Sequence, residues 1–338
     1  MAAPLPLPPL DELLERARVV ALPLATRFRG VVEREAVLFE GSAAHADGTP
    51  VWSEFSPFVE YRPAEAAAWL AAAIEYGFDP ELERRLDGSV EVNATVPAVA
   101  ADEVAGVLAR YDGCRVVKVK VAERGQSLAD DLARLEAVRD ALPDARLRID
   151  ANAGWSSPEA VTALRAIAAA GIELEYAEQP VAGVEGLAEV RRAVPGVRIA
   201  ADEAVRKADD PLAVARAGAA DHVIVKAQPL GGVRRAAEVV AASGLTATVS
   251  SALDTSVGIV MGAQLAARLP EPRYAAGLAT VSLFAADVVR EPRRPVAGRI
   301  ALAPAVPDEA LLREHAAPAA RRDWWLERIR DCWELLAR

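Results

Sequence analysis

Six residues have the types and the spacing to do chemistry together. Lys118 and Lys120 alternate with valines in VVKVKVA (116–122); Asp150 follows in RIDANAGW, Glu178 in YAEQP, Asp202 in AADEA and Lys226 in VIVKAQPLGG. Each closes a short apolar run of strand character, and from Lys120 onward they recur at intervals of 24 to 30 residues. Residues i and i+2 of a strand share a face, so both lysines point the same way. Two ammonium groups on a buried face repel unless something compensates them; the alternative is an edge strand with a solvated lysine face. The interval is the length of one strand–helix unit, so the repeat brings one ionisable group after another to the same rim. Three carboxylates gathered there raise one another's pKa. A divalent cation relieves this, and all-oxygen ligation suits Mg²⁺ better than zinc. A lysine beside such a cation is easier to deprotonate and so usable as a general base. Taken singly, an Asp or Glu after a strand is usually a helix cap or a solvated loop residue; the shared register is what speaks for a site. Glu203 has the opposite parity to Asp202 and reads as a neighbour of the site.

The elements that must position these groups follow from the same rhythm. VEVNATV, RVVKVKV, LRIDAN, ELEYAEQ, RIAADE, HVIVKA, TATVSS and YAAGLA read as eight strands. Alanine-rich amphipathic helices fall between them, near 101–110, 127–141, 157–169, 184–193, 209–217, 231–242 and 255–268. This predicts a (β/α)7β TIM-like barrel over residues 89–294, of α/β class, with its site at the C-terminal ends of the strands. A doubly wound open sheet is weakened by the absence of G-x-G-x-x-G after the first strand. Residues 1–88 read as an α+β capping domain: three strand-like segments broken by Gly, Pro and Asp, then a helix over 64–78. Residues 295–338 read as loop and terminal helix packing back on the barrel and cap, with Trp324, Trp325 and Trp333 needing a surface to cover.

Composition excludes several classes of function. The chain has 338 residues, 52% of them hydrophobic, enough for a large core. A net charge of −10 without a basic tract argues against nucleic acid and anionic membrane as partners. Two distant cysteines make no disulfide framework and suit a cytoplasmic location. The N-terminus has no signal-peptide pattern and no apolar run is long enough to span a bilayer. Three histidines, two of them outside the barrel strands, offer neither a Ser–His–Asp set nor a zinc motif, and His222 starts strand six at the end far from the site.

The K-x-K of strand two, DAN of strand three, EQP of strand four, DE of strand five and the lysine of strand six resemble the enolase superfamily, in its muconate-lactonizing-enzyme-like subgroup. TRFRG (26–30), WSEFSPFVEY (52–61), LRIDANAGW, SSALDTSVG (250–258) and GLATVSLFAADVV (277–289) carry a finer likeness, to the members that dehydrate 2-succinyl-6-hydroxy-2,4-cyclohexadiene-1-carboxylate to o-succinylbenzoate in menaquinone biosynthesis. The resemblance implies Mg²⁺ on Asp150, Glu178 and Asp202, binding a small-molecule carboxylate. Lys120 would remove the proton beside that carboxylate and return it to the leaving hydroxide, Lys226 would stay cationic across the ring, and Lys118 would support Lys120.

Arg148 and Asn152 share parity with Asp150 and are expected to point inward, Arg148 either to the substrate or to an ion-pair partner inside the barrel. Ser250 and Ser251 end strand seven, where they would hydrogen-bond substrate or cap a helix. Gly277 ends strand eight and leaves room for ligand. In the cap, Arg27, Arg29, Phe55 and Ser56 are expected to shape the pocket. A racemase of N-acylamino acids or a dipeptide epimerase would use the same two lysines as opposed acid and base; a non-catalytic barrel is the remaining alternative.

Overall fold

The computed structural model describes residues 7–28, 30–45, 47–206 and 210–338. In the N-terminal part, Val31–Ala44 pairs antiparallel with Ala17–Phe28 on one side and Pro50–Phe55 on the other. The helix Pro63–Phe78 packs on this sheet. Pro63 opens it where a missing N–H costs nothing, and the Glu65 carboxylate accepts from the Arg62 backbone N–H at 3.1 Å. Strand and helix approach so closely that a Cβ on Gly41 would lie 1.8 Å from the Gly77 carbonyl oxygen, so only glycine fits.

The second part is a seven-stranded parallel sheet whose strands neighbour one another in chain order. They are Ala94–Val96, Val116–Lys120, Arg146–Asp150, Leu174–Glu178, Ile199–Ala201, His222–Val225 and Thr246–Val249. Between them run helices including Leu128–Ala141, Ser157–Ala169, Val184–Ala193 and Val233–Ser243. Ser127 caps the first, exchanging bonds with Asp130. Where an eighth strand was expected, Ala276 makes a single parallel bridge to Val92 and Gly277 one to Ser250, joining the two edges of the sheet. A glycine in the middle and the 3₁₀ turn Ala279–Leu283 directly after it leave too little extended chain for a ladder.

The expected first strand is also divided. Ser89–Glu91 pairs antiparallel with Arg299–Ala301 of the C-terminal segment, and the barrel strand starts only at Ala94. Asn93, buried between them, donates from Nδ2 to the Ala94 carbonyl and accepts from Arg148 at Oδ1, both at 2.9 Å. A side chain bonded to its own backbone competes with the strand ladder.

The apolar core is in two main bodies, one within the barrel and one shared by the cap and the C-terminal helix Ala319–Leu336. Trp325 is fully buried edge-on to Phe55, with ring centroids 5.8 Å apart. Trp333 Nε1 donates to the Pro8 carbonyl at 3.0 Å. Among the described residues no helix is long and apolar enough to cross a membrane.

Candidate active site

The parallel register sets the site. Lys120 lies opposite Asp150 and Asp150 opposite Glu178, so strands two, three and four end on one row. Asp202 follows Ile199–Ala201 directly, and Lys226 follows His222–Val225. All six predicted groups are buried: the three carboxylates are 1% exposed and the lysines 6–8%. Their mutual charges make this tolerable. Lys118 Nζ donates to Glu178 Oε2 at 2.9 Å and lies 3.3 Å from Asp150 Oδ2. Lys120 bonds the same Asp150 oxygen, and Lys226 Nζ donates to Asp202 Oδ2 at 2.6 Å.

Burial alone would lower the Lys118 pKa, but Glu178 and Asp150 hold it well above the ordinary lysine range. Burial would raise Asp150, but Lys120 and Lys118 hold it far below its usual value. Asp202 is likewise held low against burial, by Arg206 and then Lys226. Glu178 goes the other way: burial, then the Asp150 charge, push it up to about 7. Lys118 is therefore a fixed cation, and Glu178 the carboxylate least satisfied by its surroundings.

Among the described residues, no three His, Cys, Asp or Glu side chains already close round one point as a formed metal centre would. The carboxylates are drawn to the ammonium groups between them. The donor set nevertheless fits a hard divalent cation. Three carboxylates converge from adjacent strands, and Glu178 Oε1 is buried without a hydrogen-bond partner. An unsatisfied buried carboxylate oxygen is costly, and a cation supplies what it lacks.

The cavity above these groups holds about 530 Å³ including its mouth. Of the residues expected to contact substrate, Asn152, Ser250, Ser251 and Gly277 line it. Ser251 donates to the Gly277 carbonyl at 3.0 Å, and a Cβ on Gly277 would meet Ser250 Oγ at 2.6 Å.

Arg148 does not reach the cavity. It lies two residues deeper in its strand, fully buried, bonded to Glu175 at 2.5 Å and to the Ala275 carbonyl at 2.6 Å over the Tyr176 ring. That is its ion-pairing alternative. Phe55 and Ser56 are not among the lining residues either. Phe55 faces the cap core, and Ser56 bonds Glu54 at 2.5 Å and Gln228 at 3.2 Å, in the seam between cap and barrel. Arg27 is exposed on the rim of a wider cleft outside, and Arg29 lies outside the described residues.

What the cap brings to the cavity instead is apolar: Phe28, Phe58 and Trp69. The Phe28 ring sits 5.3 Å from Lys120 Nζ. Phe28 and Phe58 lie within three positions of the residues expected there, Arg27 and Ser56 among them, whereas Trp69 comes from the helix Pro63–Phe78, for which no pocket role was expected. Strand alternation, which turns Phe28 to the face opposite Arg27, is the signal the sequence offers. Arg206 was also missed. It lines the cavity and binds Asp202 at 3.0 Å, Glu203 at 2.6 Å and the Tyr61 hydroxyl at 2.8 Å. A four-residue helical turn, Glu203–Arg206, brings it back over Asp202.

Comparison with known proteins agrees with this geometry. Residues 99–309 match the family described as Enolase C-terminal domain-like, and residues 19–77 the one described as Enolase N-terminal domain-like. The muconate lactonizing enzyme from Pseudomonas fluorescens, solved with muconolactone, shares the fold: TM-score 0.73, 20% identity, 89% of this chain and 98% of that one. A dipeptide epimerase from Enterococcus faecalis, solved with Mg and the dipeptide L-Leu-L-Tyr, aligns with TM-score 0.70 at 21% identity over 86% of this chain and 97% of that one. In sequence, the o-succinylbenzoate synthase of Mycolicibacterium smegmatis is 53% identical over 329 residues, 97% of this chain and 98% of the relative. A likeness of that depth along almost the whole length, on top of both superfamily domains, places the chain in the o-succinylbenzoate synthase family of the enolase superfamily.

Proposed function

We propose that the chain dehydrates 2-succinyl-6-hydroxy-2,4-cyclohexadiene-1-carboxylate to o-succinylbenzoate, with Mg²⁺ held by Asp150, Glu178 and Asp202. The observation that carries this is the pair Lys120 and Lys226, which line one cavity from the second and sixth barrel strands with the three carboxylates between them. When bound, the cation supplies the positive charge that a carboxylate needs as its α-carbon loses a proton. Lys120 Nζ would take that proton, and the C–H electron pair shifts onto the carboxylate as an ene-diolate, to return into the ring when the hydroxyl leaves. The same nitrogen, now an ammonium, returns a proton to the departing hydroxyl; the C–O bond breaks, water leaves and the ring becomes aromatic. Lys226, anchored on Asp202, holds positive charge at the other side of the ring. Lys118 remains charged beside Lys120, between Glu178 and Asp150. Phe28, Phe58 and Trp69 cover the site and keep water from the intermediate.

The test is direct. Purified protein with Mg²⁺ and the cyclohexadiene substrate should show the ultraviolet absorbance of the aromatic product, abolished by chelator and restored by Mg²⁺. No product with metal present would refute the dehydration, and full turnover in metal-free protein would refute the metal. The racemase alternative separates by exchange. Rapid deuterium uptake at the α-carbon of both isomers of an N-succinylamino acid, one isomer lost in each single-lysine variant, would show two working acid–base groups.

A further inference from the structure

The Lys120 nitrogen has a second partner besides Asp150: it donates to Asn152 Oδ1 at 2.6 Å. Asn152 is held in turn, because its Nδ2 donates to Glu203 Oε1 at 3.2 Å. The same Glu203 oxygen accepts from Arg206 Nη2 at 2.6 Å, and Arg206 is anchored to the cap by the Tyr61 hydroxyl. Donor and acceptor chemistry fixes the amide orientation: reversed, it would aim its NH₂ at an ammonium and its oxygen at a carboxylate. The backbone adds to this. Asn152 has φ 45°, in the left-handed region that asparagine tolerates better than most residues, and its N–H bonds Asp150 Oδ1 at 3.0 Å.

We infer that Asn152, held by Glu203 and Arg206, is a positioning residue that aims the Lys120 nitrogen through the proton-transfer cycle, and is not a substrate contact. A carboxylate partner holds an ammonium well and a neutral amine poorly. An amide oxygen accepts an N–H from both, so it keeps the nitrogen in place when the lysine is the base and when it is the acid. Asp150 cannot do this alone, because it is also offered to the cation. This inference rests on the dehydration reading for its purpose, and on the geometry alone for its existence.

The chain has only four lysines, Lys118, Lys120, Lys207 and Lys226, so ¹⁵Nζ-lysine NMR of the intact Mg²⁺-loaded protein gives a spectrum simple enough to assign with a Lys120→Arg variant. Asn152→Gly removes the side chain while suiting the left-handed backbone. It should shift or broaden the Lys120 ζ resonance and leave those of Lys118 and Lys226 in place. Its kcat should fall roughly 10- to 100-fold, the order expected for a misaimed proton-transfer group, with KM within about twofold. Glu203→Gln should do the same more weakly, and serves if the glycine variant fails to fold; Mg²⁺ binding by calorimetry, unchanged in both, shows the site still assembled. A Lys120 resonance that does not move, or a kcat that stays at the wild-type value, overturns the inference. If wild-type protein makes no o-succinylbenzoate but the resonance moves as described, the positioning stands and the dehydration reading falls.

Discussion

At the scale of single residues, the site is a balance of buried charges. Lys120→Ala removes base and acid together, so turnover should fall by at least about 10²–10⁴-fold, the contribution of one proton transfer. Lys226→Arg keeps the charge on Asp202 but not the compact shape, so a partial loss is expected, read from kcat at saturating substrate. Asp202→Asn should weaken Mg²⁺ binding far more than Glu203→Gln, because Asp202 points into the charged cluster while Glu203 binds Asn152 and Arg206. Calorimetry decides between them, and equal losses would remove the distinction. The six charged groups were legible in the sequence because a repeat of strand and helix fixes both their rim and their parity. The cap contributions were not. Phe28 and Phe58 work by being apolar, and an apolar residue in a β-rich segment looks the same in sequence whether it faces a core or a cavity. Phe55 and Phe58, three residues apart, do one each.

At the scale of elements, the cap is held on the barrel by polar clasps. Glu54, fully buried in strand Pro50–Phe55, accepts from Thr255 N at 3.0 Å and Gly258 N at 3.1 Å, so a cap carboxylate closes the N-terminus of the barrel helix Ser256–Arg268. Gly258 has to be glycine for this, since a Cβ there would lie 2.8 Å from Glu54 Oε2. The C-terminal helix forms the other clasp. Arg328 Nη2 donates to the Phe58 carbonyl at 3.2 Å and the Tyr61 carbonyl at 2.6 Å, fixing the turn that presents Phe58 to the cavity. Arg328→Ala should therefore raise KM several-fold while leaving Mg²⁺ affinity alone, the signature of a disturbed lid over an intact metal-binding row. A change in metal affinity with KM unaltered would contradict it. The sequence shows these helices by their period, and Ser157–Ala169 and Val184–Ala193 fall where the pattern puts them. It does not show which element each cap residue docks on, because those contacts join positions 145 to 270 residues apart with no local signal. Nor does it show the division of VEVNATV, which depends on Arg148 reaching Asn93 from another strand.

At the scale of the whole molecule, stability should depend on pH through groups of opposite sign. His222 is wholly buried at the base of the barrel, stacked 5.0 Å from Tyr176 and bonded to Thr246 and Thr248. Burial, then Arg148 and Arg198, lower its pKa to about 3 from 6.5. A lowered folded value means the unfolded chain binds the proton first as pH falls, so this contribution is complete above about 6.5 and is lost progressively down to about 3. Between pH 7 and pH 5 the loss is about 2 kcal/mol. Glu54 and Glu178 act in the reverse direction. Both are raised to about 7, Glu54 by burial and then Asp254, so their cost grows as pH rises from about 4.5 to 7. The total slope is therefore a difference of competing terms, and the histidine is isolated only by comparison. Urea unfolding of wild type and His222→Gln, at pH 7 and pH 5 without added metal, makes that comparison with the carboxylates common to both. The variant should be less stable at pH 7, having lost the stacking and a threonine bond. The gap should shrink by about 2 kcal/mol at pH 5, where wild type has lost its histidine contribution and the variant has none to lose. A gap of the same size at both pH values would mean that His222 does not carry this part of the acid sensitivity.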